Sequence, residues 1–278
     1  DYDGLVARNA IPGITVKESG DDVLVTAGSG VIWDDLVQFC VEHGYGGIEN
    51  LSLIPGSTGA GPIQNIGAYG VELKDVFRSL LAIDLETGKP EEFDASSCRF
   101  AYRDSIFKNE LKGRFVIVSV SLGLSKEHVP DTSYGAIDEE LGRMGIAGNP
   151  GIADVRRAVI AIRQSKLPDP EITGNAGSFF KNPVIPGPKF EEVRAGNPEV
   201  PFYLTDSGSA KIPAAWLIDR CGWKGKAHGN AAVHDRQPLV LVNRGGAGGK
   251  EILELAEMVR ASVMERFGIG LEMEVNVV

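Results

Sequence analysis

Three segments of this 278-residue sequence carry side chains that could do chemistry. Gly174-Asn-Ala-Gly-Ser-Phe-Phe-Lys-Asn-Pro183 sets Ser178 between a small-residue turn and two phenylalanines, with Lys181 and Asn182 close behind. A lysine three residues after Gly-Ser makes a corner that suits an anion, although a serine there also serves as an ordinary helix cap or turn. It is not the G-x-S-x-G elbow of a hydrolase, which disfavours a nucleophilic serine. Arg99-Phe-Ala-Tyr-Arg-Asp-Ser-Ile-Phe107 puts Arg103 among aromatic and acidic neighbours. Held by Asp104 and framed by rings, its guanidinium would clamp a carboxylate, while such a pair alone is more often structural. Glu272 and Glu274 alternate with apolar residues near the C-terminus, share one strand face, and by spacing alone read as a solvated face.

A fourth segment has no charge at all. Ile54-Pro-Gly-Ser-Thr-Gly-Ala-Gly-Pro-Ile-Gln-Asn-Ile-Gly-Ala-Tyr-Gly70 holds five glycines and two prolines among apolar residues. Glycine permits close backbone approach and positive φ, and proline stiffens a loop. The run is expected to be poor as helix or central strand and good as a rigid cradle for a large flat ligand. An ordinary surface loop would be richer in Ser, Asp, Lys and Glu.

Other chemistries fail on their residues. Gly28-Ser-Gly30 lacks the third glycine of a dinucleotide fingerprint, since position 33 is Trp. Gly245-Gly-Ala-Gly-Gly-Lys250 imitates a phosphate loop, but Arg244 and Glu251 stand where a glycine and a Ser/Thr are required, so a flexible turn is expected. The four histidines form no HExxH-like cluster, and Cys40, Cys98 and Cys221 form no CxxC pair. Neither a metal site nor a disulfide framework is expected. A net charge of −10 argues against nucleic acid and anionic membrane surfaces as general partners. No apolar run approaches the roughly 18 residues of a membrane helix, and no signal peptide opens the chain.

The elements that must position these residues follow from periodicity. Residues 1–30 read as short strands broken at Gly13 and at Ser19-Gly-Asp-Asp22, and Trp33–His43 as a helix stopped by Gly44. Strands are expected around Leu80–Leu85, Phe115–Leu122 and Pro238–Asn243, with a last one over Leu271–Val278. Helices are expected over Pro150–Lys166, from Ile212, and over Lys250–Phe267, whereas 183–201 reads as loop-rich. The pattern indicates an α+β class, not a doubly wound sheet. With Leu167-Pro-Asp-Pro170 as the clearest break, the domains are expected at 1–165 and 166–268, with 269–278 as a final strand.

Taken in order, seven segments resemble the UDP-N-acetylenolpyruvoylglucosamine reductase (MurB) family, type I, over essentially the whole chain. They are Glu49–Tyr69, Tyr102-Arg-Asp-Ser-Ile-Phe107, Lys166-Leu-Pro-Asp-Pro170, Gly174–Pro183, Ala215-Trp-Leu-Ile-Asp219, Gly229-Asn-Ala-Ala-Val-His234 and Leu271-Glu-Met-Glu-Val275. The resemblance implies an FAD-binding domain of the vanillyl-alcohol-oxidase (PCMH-like) type and a separate α+β substrate-binding domain. It implies a cytoplasmic, monomeric enzyme that uses NADPH and FAD to reduce UDP-N-acetylglucosamine enolpyruvate to UDP-N-acetylmuramate for the peptidoglycan wall. By the same resemblance Arg103 and Glu274 stabilise the substrate carboxylate as charge grows on it, and Ser178 gives a proton to C2. Ile54, Pro55, Gly56, Gly59, Ile63, Gln64, Ile66, Gly67 and Arg163 resemble flavin contacts. Tyr69, Tyr134, Lys166, Lys181 and Asn182 resemble substrate contacts, the lysines facing the diphosphate. Glu274 is expected to have a raised pKa if it serves as a protonated donor.

Two features depart from the family pattern. The glycine-serine-asparagine loop that wraps the FAD pyrophosphate in the family would precede Asp1, so part of the FAD-binding domain is expected to lie outside this chain, with FAD retention weakened. Asn276 stands where many relatives carry an arginine near the flavin. Two alternatives stay open: a non-catalytic nucleotide-sugar-binding fragment, and another FAD-dependent oxidoreductase of the same fold.

Overall fold

A computed structural model describes residues 3–205 and 208–277, and the chain divides into two units, one of Leu5–Arg163 and the other of Asp1–Gly4 with Gln164–Val278. In the first, period-two alternation makes strands. β1 (Ile14–Ser19) and β2 (Asp22–Gly28) form a hairpin, followed by α1 (Trp33–Glu42). The two-residue strands β3 (Gly67–Ala68) and β4 (Val71–Glu72) pair with each other. β5 (Phe77–Asp84), β6 (Pro90–Asp94), the short α2 (Ala95–Cys98) and β7 (Phe115–Ser125) come next. Five strands make one antiparallel sheet in the order β1-β2-β7-β5-β6. Its central register runs from Asp22 opposite Ser125 to Gly28 opposite Ser119.

α1 buries Trp33, Leu36, Val37 and Cys40, an i, i+3, i+4, i+7 stripe, in the same core as Val25, Leu80, Val120 and Leu122. The unit's remaining helices are α3 (Gly135–Arg143) and α4 (Ile152–Lys166), whose last three residues fall in the second unit. Ile137 and Leu141 of α3 share a smaller core with Val155, Ala158, Val159 and Ile162 of α4, and Tyr69 packs against it. The uncharged segment is more regular than its composition promised. Thr58–Ile63 winds into a 3₁₀ helix with Pro62 inside it, and Gly67–Ala68 supplies β3. Short i→i+3 turns tolerate glycine better than an α-helix does, because few residues need ordering.

The second unit contains β8 (Gly174–Ser178), β9 (Val184–Ile185), α5 (Gly187–Gly196), β10 (Tyr203–Leu204), β11 (Ala210–Lys211) and α6 (Ala214–Arg220). It continues with β12 (Ala227–His228), β13 (Ala231–Val233), β14 (Val240–Asn243) and the long α7 (Gly249–Phe267). Two antiparallel sheets form, β12-β13-β14-β8 and β10-β11-β9. α7 buries Leu255, Ala256, Val259, Val263 and Phe267 against Phe179, Phe180, Leu217 and Ile218.

Two expectations fail here. The stretch read as loop-rich contains α5, because Pro186 sits at its N-cap and Pro188 in its first turn, where no intrahelical donor is lost. The expected last strand shrinks to one bridge, Phe180 opposite Met273, and Val278 lies outside the described residues. The Gly245–Gly249 turn is also better organised than a flexible loop. Asn243 Oδ1 accepts from the Gly245 and Ala247 amides at 2.9 and 3.0 Å, and its Nδ2 donates to Ala247 O at 2.9 Å. Among the described residues no helix is long and apolar enough to cross a membrane.

Candidate functional site

In the first unit the uncharged segment is fixed by its backbone. Trp33 N donates to Gly56 O at 3.0 Å, Thr58 N to Val31 O at 2.8 Å and Gly59 N to Ser29 O at 2.9 Å. A Cβ on Gly59 would come within 2.5 Å of the Ser29 Cβ, so only glycine lets the two strands of chain lie this close. Pro55 and Gly56 are exposed, Ile54, Ile63, Gln64 and Gly67 half-buried, and Ile66 buried. Gly56 has φ 113° and open space where a side chain would be. A rigid, uncharged edge with bare backbone suits the face of a flat ring system, so these residues fit a flavin.

Gly28-Ser-Gly30, dismissed as a dinucleotide motif, has a structural task. Cβ atoms on Gly28 and Gly30 would meet the Ala10–Pro12 backbone at 2.4–2.5 Å. That strap is held by Gly30 N to Ile11 O at 2.9 Å and by Ser29 Oγ to Asn9 Oδ1 at 2.9 Å.

Arg103 is not held by Asp104, as the sequence suggested. Asp104 Oδ1 instead accepts from Ser105 N and from Asn109 Nδ2, because the tight turn aims the carboxylate at its own loop. Arg103, at φ 53°, turns its guanidinium to Gly67 O, lies 3.9 Å from Glu72 and sits 5.2 Å from the centre of the Tyr102 ring. Sequence reasoning missed Glu72; its only signal was an acid following the cradle.

Arg163, on α4, donates through Nε to Leu53 O at 3.2 Å, and its charge acts on the Tyr69 phenol. Burial pushes the Tyr69 phenol above its ordinary pKa, with the Arg163 charge acting the other way. Burial also lowers Arg163. The Tyr69 and Tyr134 rings meet edge to face, 5.3 Å apart at 87°. Tyr134 is 41% exposed, which leaves part of its ring open to a ligand.

The second unit gathers the other residues around β8. Ser178, at the strand's end, pairs with Val240 of β14. The next residues switch partners: Phe179 N donates to Leu239 O at 2.7 Å, and Phe179 O accepts from Glu274 N at 2.9 Å. Lys181 N donates to Glu272 O at 2.9 Å, and Lys181 Nζ lies 2.5 Å from Glu272 Oε1. Ser178, Lys181 and Glu274 therefore lie on two neighbouring segments, pinned by buried Phe179 and Phe180. Asn182 Oδ1 caps α6 by accepting from Ala214 N at 2.9 Å. Lys166 is exposed at the end of α4.

Residues 3–94 match the FAD binding domain family, and residues 169–278 match the C-terminal domain of UDP-N-acetylenolpyruvoylglucosamine reductase. The chain is thus a flavoprotein oxidoreductase of α+β class, with an FAD-binding domain of the vanillyl-alcohol-oxidase type and a second α+β domain. It is 54% identical to the UDP-N-acetylenolpyruvoylglucosamine reductase of Burkholderia lata, over 99% of this chain and 79% of that protein. It is 49% identical to the protein of that name from Bacteroides fragilis, over 99% of this chain and 82% of the relative. The crystal structure of UDP-N-acetylenolpyruvylglucosamine reductase (MurB) from Thermus caldophilus shares the fold, with TM-score 0.62 at 23% identity over 91% of this chain and 71% of that one. The chain belongs to the UDP-N-acetylenolpyruvoylglucosamine reductase family.

Proposed function

We propose that this chain reduces UDP-N-acetylglucosamine enolpyruvate to UDP-N-acetylmuramate in peptidoglycan synthesis, with NADPH as reductant, as a cytoplasmic monomer. Bound FAD supplies hydride chemistry, held by Ile54, Pro55, Gly56, Gly59, Ile63, Gln64, Ile66, Gly67 and Arg163. The remaining work falls to side chains. Reduction of the enolpyruvyl double bond builds negative charge on the substrate carboxylate, and Arg103 and Glu274 hold that carboxylate. Ser178 gives its hydroxyl proton to C2 and regains one from solvent. Serine is a weak acid, but the charge-rich carbon is a strong base, so the transfer runs downhill. Tyr69, Tyr134 and Asn182 hold the sugar nucleotide, and Lys166 and Lys181 face its diphosphate.

The observation that carries this reading is the seating of Ser178, Lys181 and Glu274 on two segments joined by backbone hydrogen bonds of 2.9 Å. A proton donor, a cation and a carboxyl group are what an anionic enolpyruvyl substrate requires. The test is to load the chain with FAD, add NADPH and UDP-N-acetylglucosamine enolpyruvate without oxygen, and weigh the product by mass spectrometry. A gain of two hydrogens on the substrate is expected. Binding of the substrate without any reduction would favour a nucleotide-sugar-binding protein.

A further inference from the structure

We propose that Asn50 is a positioning residue for substrate, aligning Tyr69 and Tyr134 through one carboxamide. The inference rests on the reading that these tyrosines touch the sugar nucleotide. Asn50 lies in the 3₁₀ turn Glu49–Leu51 and is 1% exposed. Its Nδ2 donates to Tyr69 O at 3.0 Å and to Asp131 O at 2.9 Å. Both amide hydrogens are thereby spent on the two chain segments that carry the tyrosines.

Each segment needs the restraint. Tyr69 sits at φ 49°, followed by Gly70 at 90°, a conformation that a bulky residue keeps only when its surroundings fix it. Asp131 starts the turn into Tyr134. Its Oδ1 accepts from Ser133 N at 2.8 Å, and Tyr134 then caps α3. The adjacent Glu49 holds the same segment one step earlier: its Oε1 lies 3.0 Å from His128 Nε2, and its Oε2 accepts from Gly47 N at 2.7 Å. His128 bears on the segment alone, whereas Asn50 joins it to Tyr69. The edge-to-face meeting of the two rings follows from a shared anchor beneath them.

The test uses the oxidised, FAD-loaded chain and calorimetric titration with UDP-N-acetylglucosamine enolpyruvate, so that affinity is read without turnover. Asn50→Leu removes both donors at similar size; Asn50→Asp is the isosteric second variant should the first not fold. The dissociation constant is expected to rise about tenfold or more, the scale of orphaned hydrogen bonds. The same substitution in a background carrying both Tyr69→Ala and Tyr134→Ala is expected to change it less than about twofold, since both rings being positioned are gone. An equal fold-change in both backgrounds, or none in either, would overturn the inference. If Tyr134→Ala alone leaves the dissociation constant unchanged, the tyrosine contact itself fails, and the inference falls with it.

Discussion

The guanidinium of Arg103 donates to the carbonyl of Gly67, and it does so from a left-handed backbone with φ 53°. A Cβ at position 67 would lie 2.9 Å from Arg103 Nη1, so the absence of a side chain is what lets the two meet. The arginine proposed for the substrate carboxylate is thus fastened to the segment proposed to face the flavin. Arg103→Lys keeps the charge but loses the planar fork. Turnover of UDP-N-acetylglucosamine enolpyruvate is expected to fall about 10²–10³-fold, the usual loss for one charge-stabilising donor. Steady-state kinetics beside the flavin content of the purified variant check this, and an unchanged rate would remove Arg103 from the reaction.

Lys181 and Glu272 form an unequal pair, the lysine side chain 13% exposed and the glutamate 69%. The exposed carboxylate is free to swing into water, while the lysine stays. If Lys181 receives the diphosphate, Glu272→Gln removes a competitor and should tighten substrate binding up to about fivefold, within the range of an exposed ion pair. The gain should shrink with added salt. Lys181→Ala should weaken binding instead, and titration of both variants separates the two effects.

Asp34 and Arg156 make a bidentate ion pair, 2.7 and 3.0 Å, between the N-terminal turn of α1 and α4. Burial acts to raise the Asp34 pKa, but hydrogen bonds from Arg156 and from the Leu53 amide, with the Arg156 charge, outweigh it and leave the value lowered. Asp34→Ala strands a buried guanidinium and should cost about 3 kcal/mol of stability. Replacing both partners by apolar residues should cost less. Urea denaturation of the single and double variants measures the difference.

Acid should unfold the chain partly through the same logic. Asp94 caps α2 and accepts from Ser97 N, Ser96 Oγ and Ser97 Oγ, which hold its pKa down at about 2. An unfolded aspartate titrates near about 3.9, so the contributions of Asp94 and Asp34 are full above that pH and fade as pH falls toward the folded values. Asp94→Asn should lower stability at neutrality and flatten the stability curve between about pH 4 and 2, so that the two proteins converge toward acid. Melting temperature against pH for both proteins tests it.

The first unit was legible where periodicity is strong. Leu36, Val37, Phe39, Cys40 and Val41, with Gly44 as a stop, mark α1 from the sequence alone, and β-branched content marks β7. What misled was local composition without its tertiary partner. Prolines at 186 and 188 read as loop, though they start α5. The alternation in Leu271–Val275 read as a strand, but only Met273 finds a bridge partner. Asp104 beside Arg103 read as an ion pair, because adjacency says nothing about where a tight turn points each side chain. The site residues were named by motif, yet Asn50 and Glu72 went unremarked. Their work lies in contacts to Asp131, 81 residues away, and to Arg103, and no spacing rule reaches that far.

The central claim is that Ser178 delivers the proton that completes reduction of the enolpyruvyl double bond. The most direct test is anaerobic stopped flow: FAD-loaded chain is reduced with NADPH and then mixed with UDP-N-acetylglucosamine enolpyruvate, for native protein and Ser178→Ala. Flavin reduction by NADPH should be alike in both, and reoxidation by substrate should slow by about 10²–10⁴-fold or more in the variant. Equal reoxidation rates in the two proteins would contradict the claim.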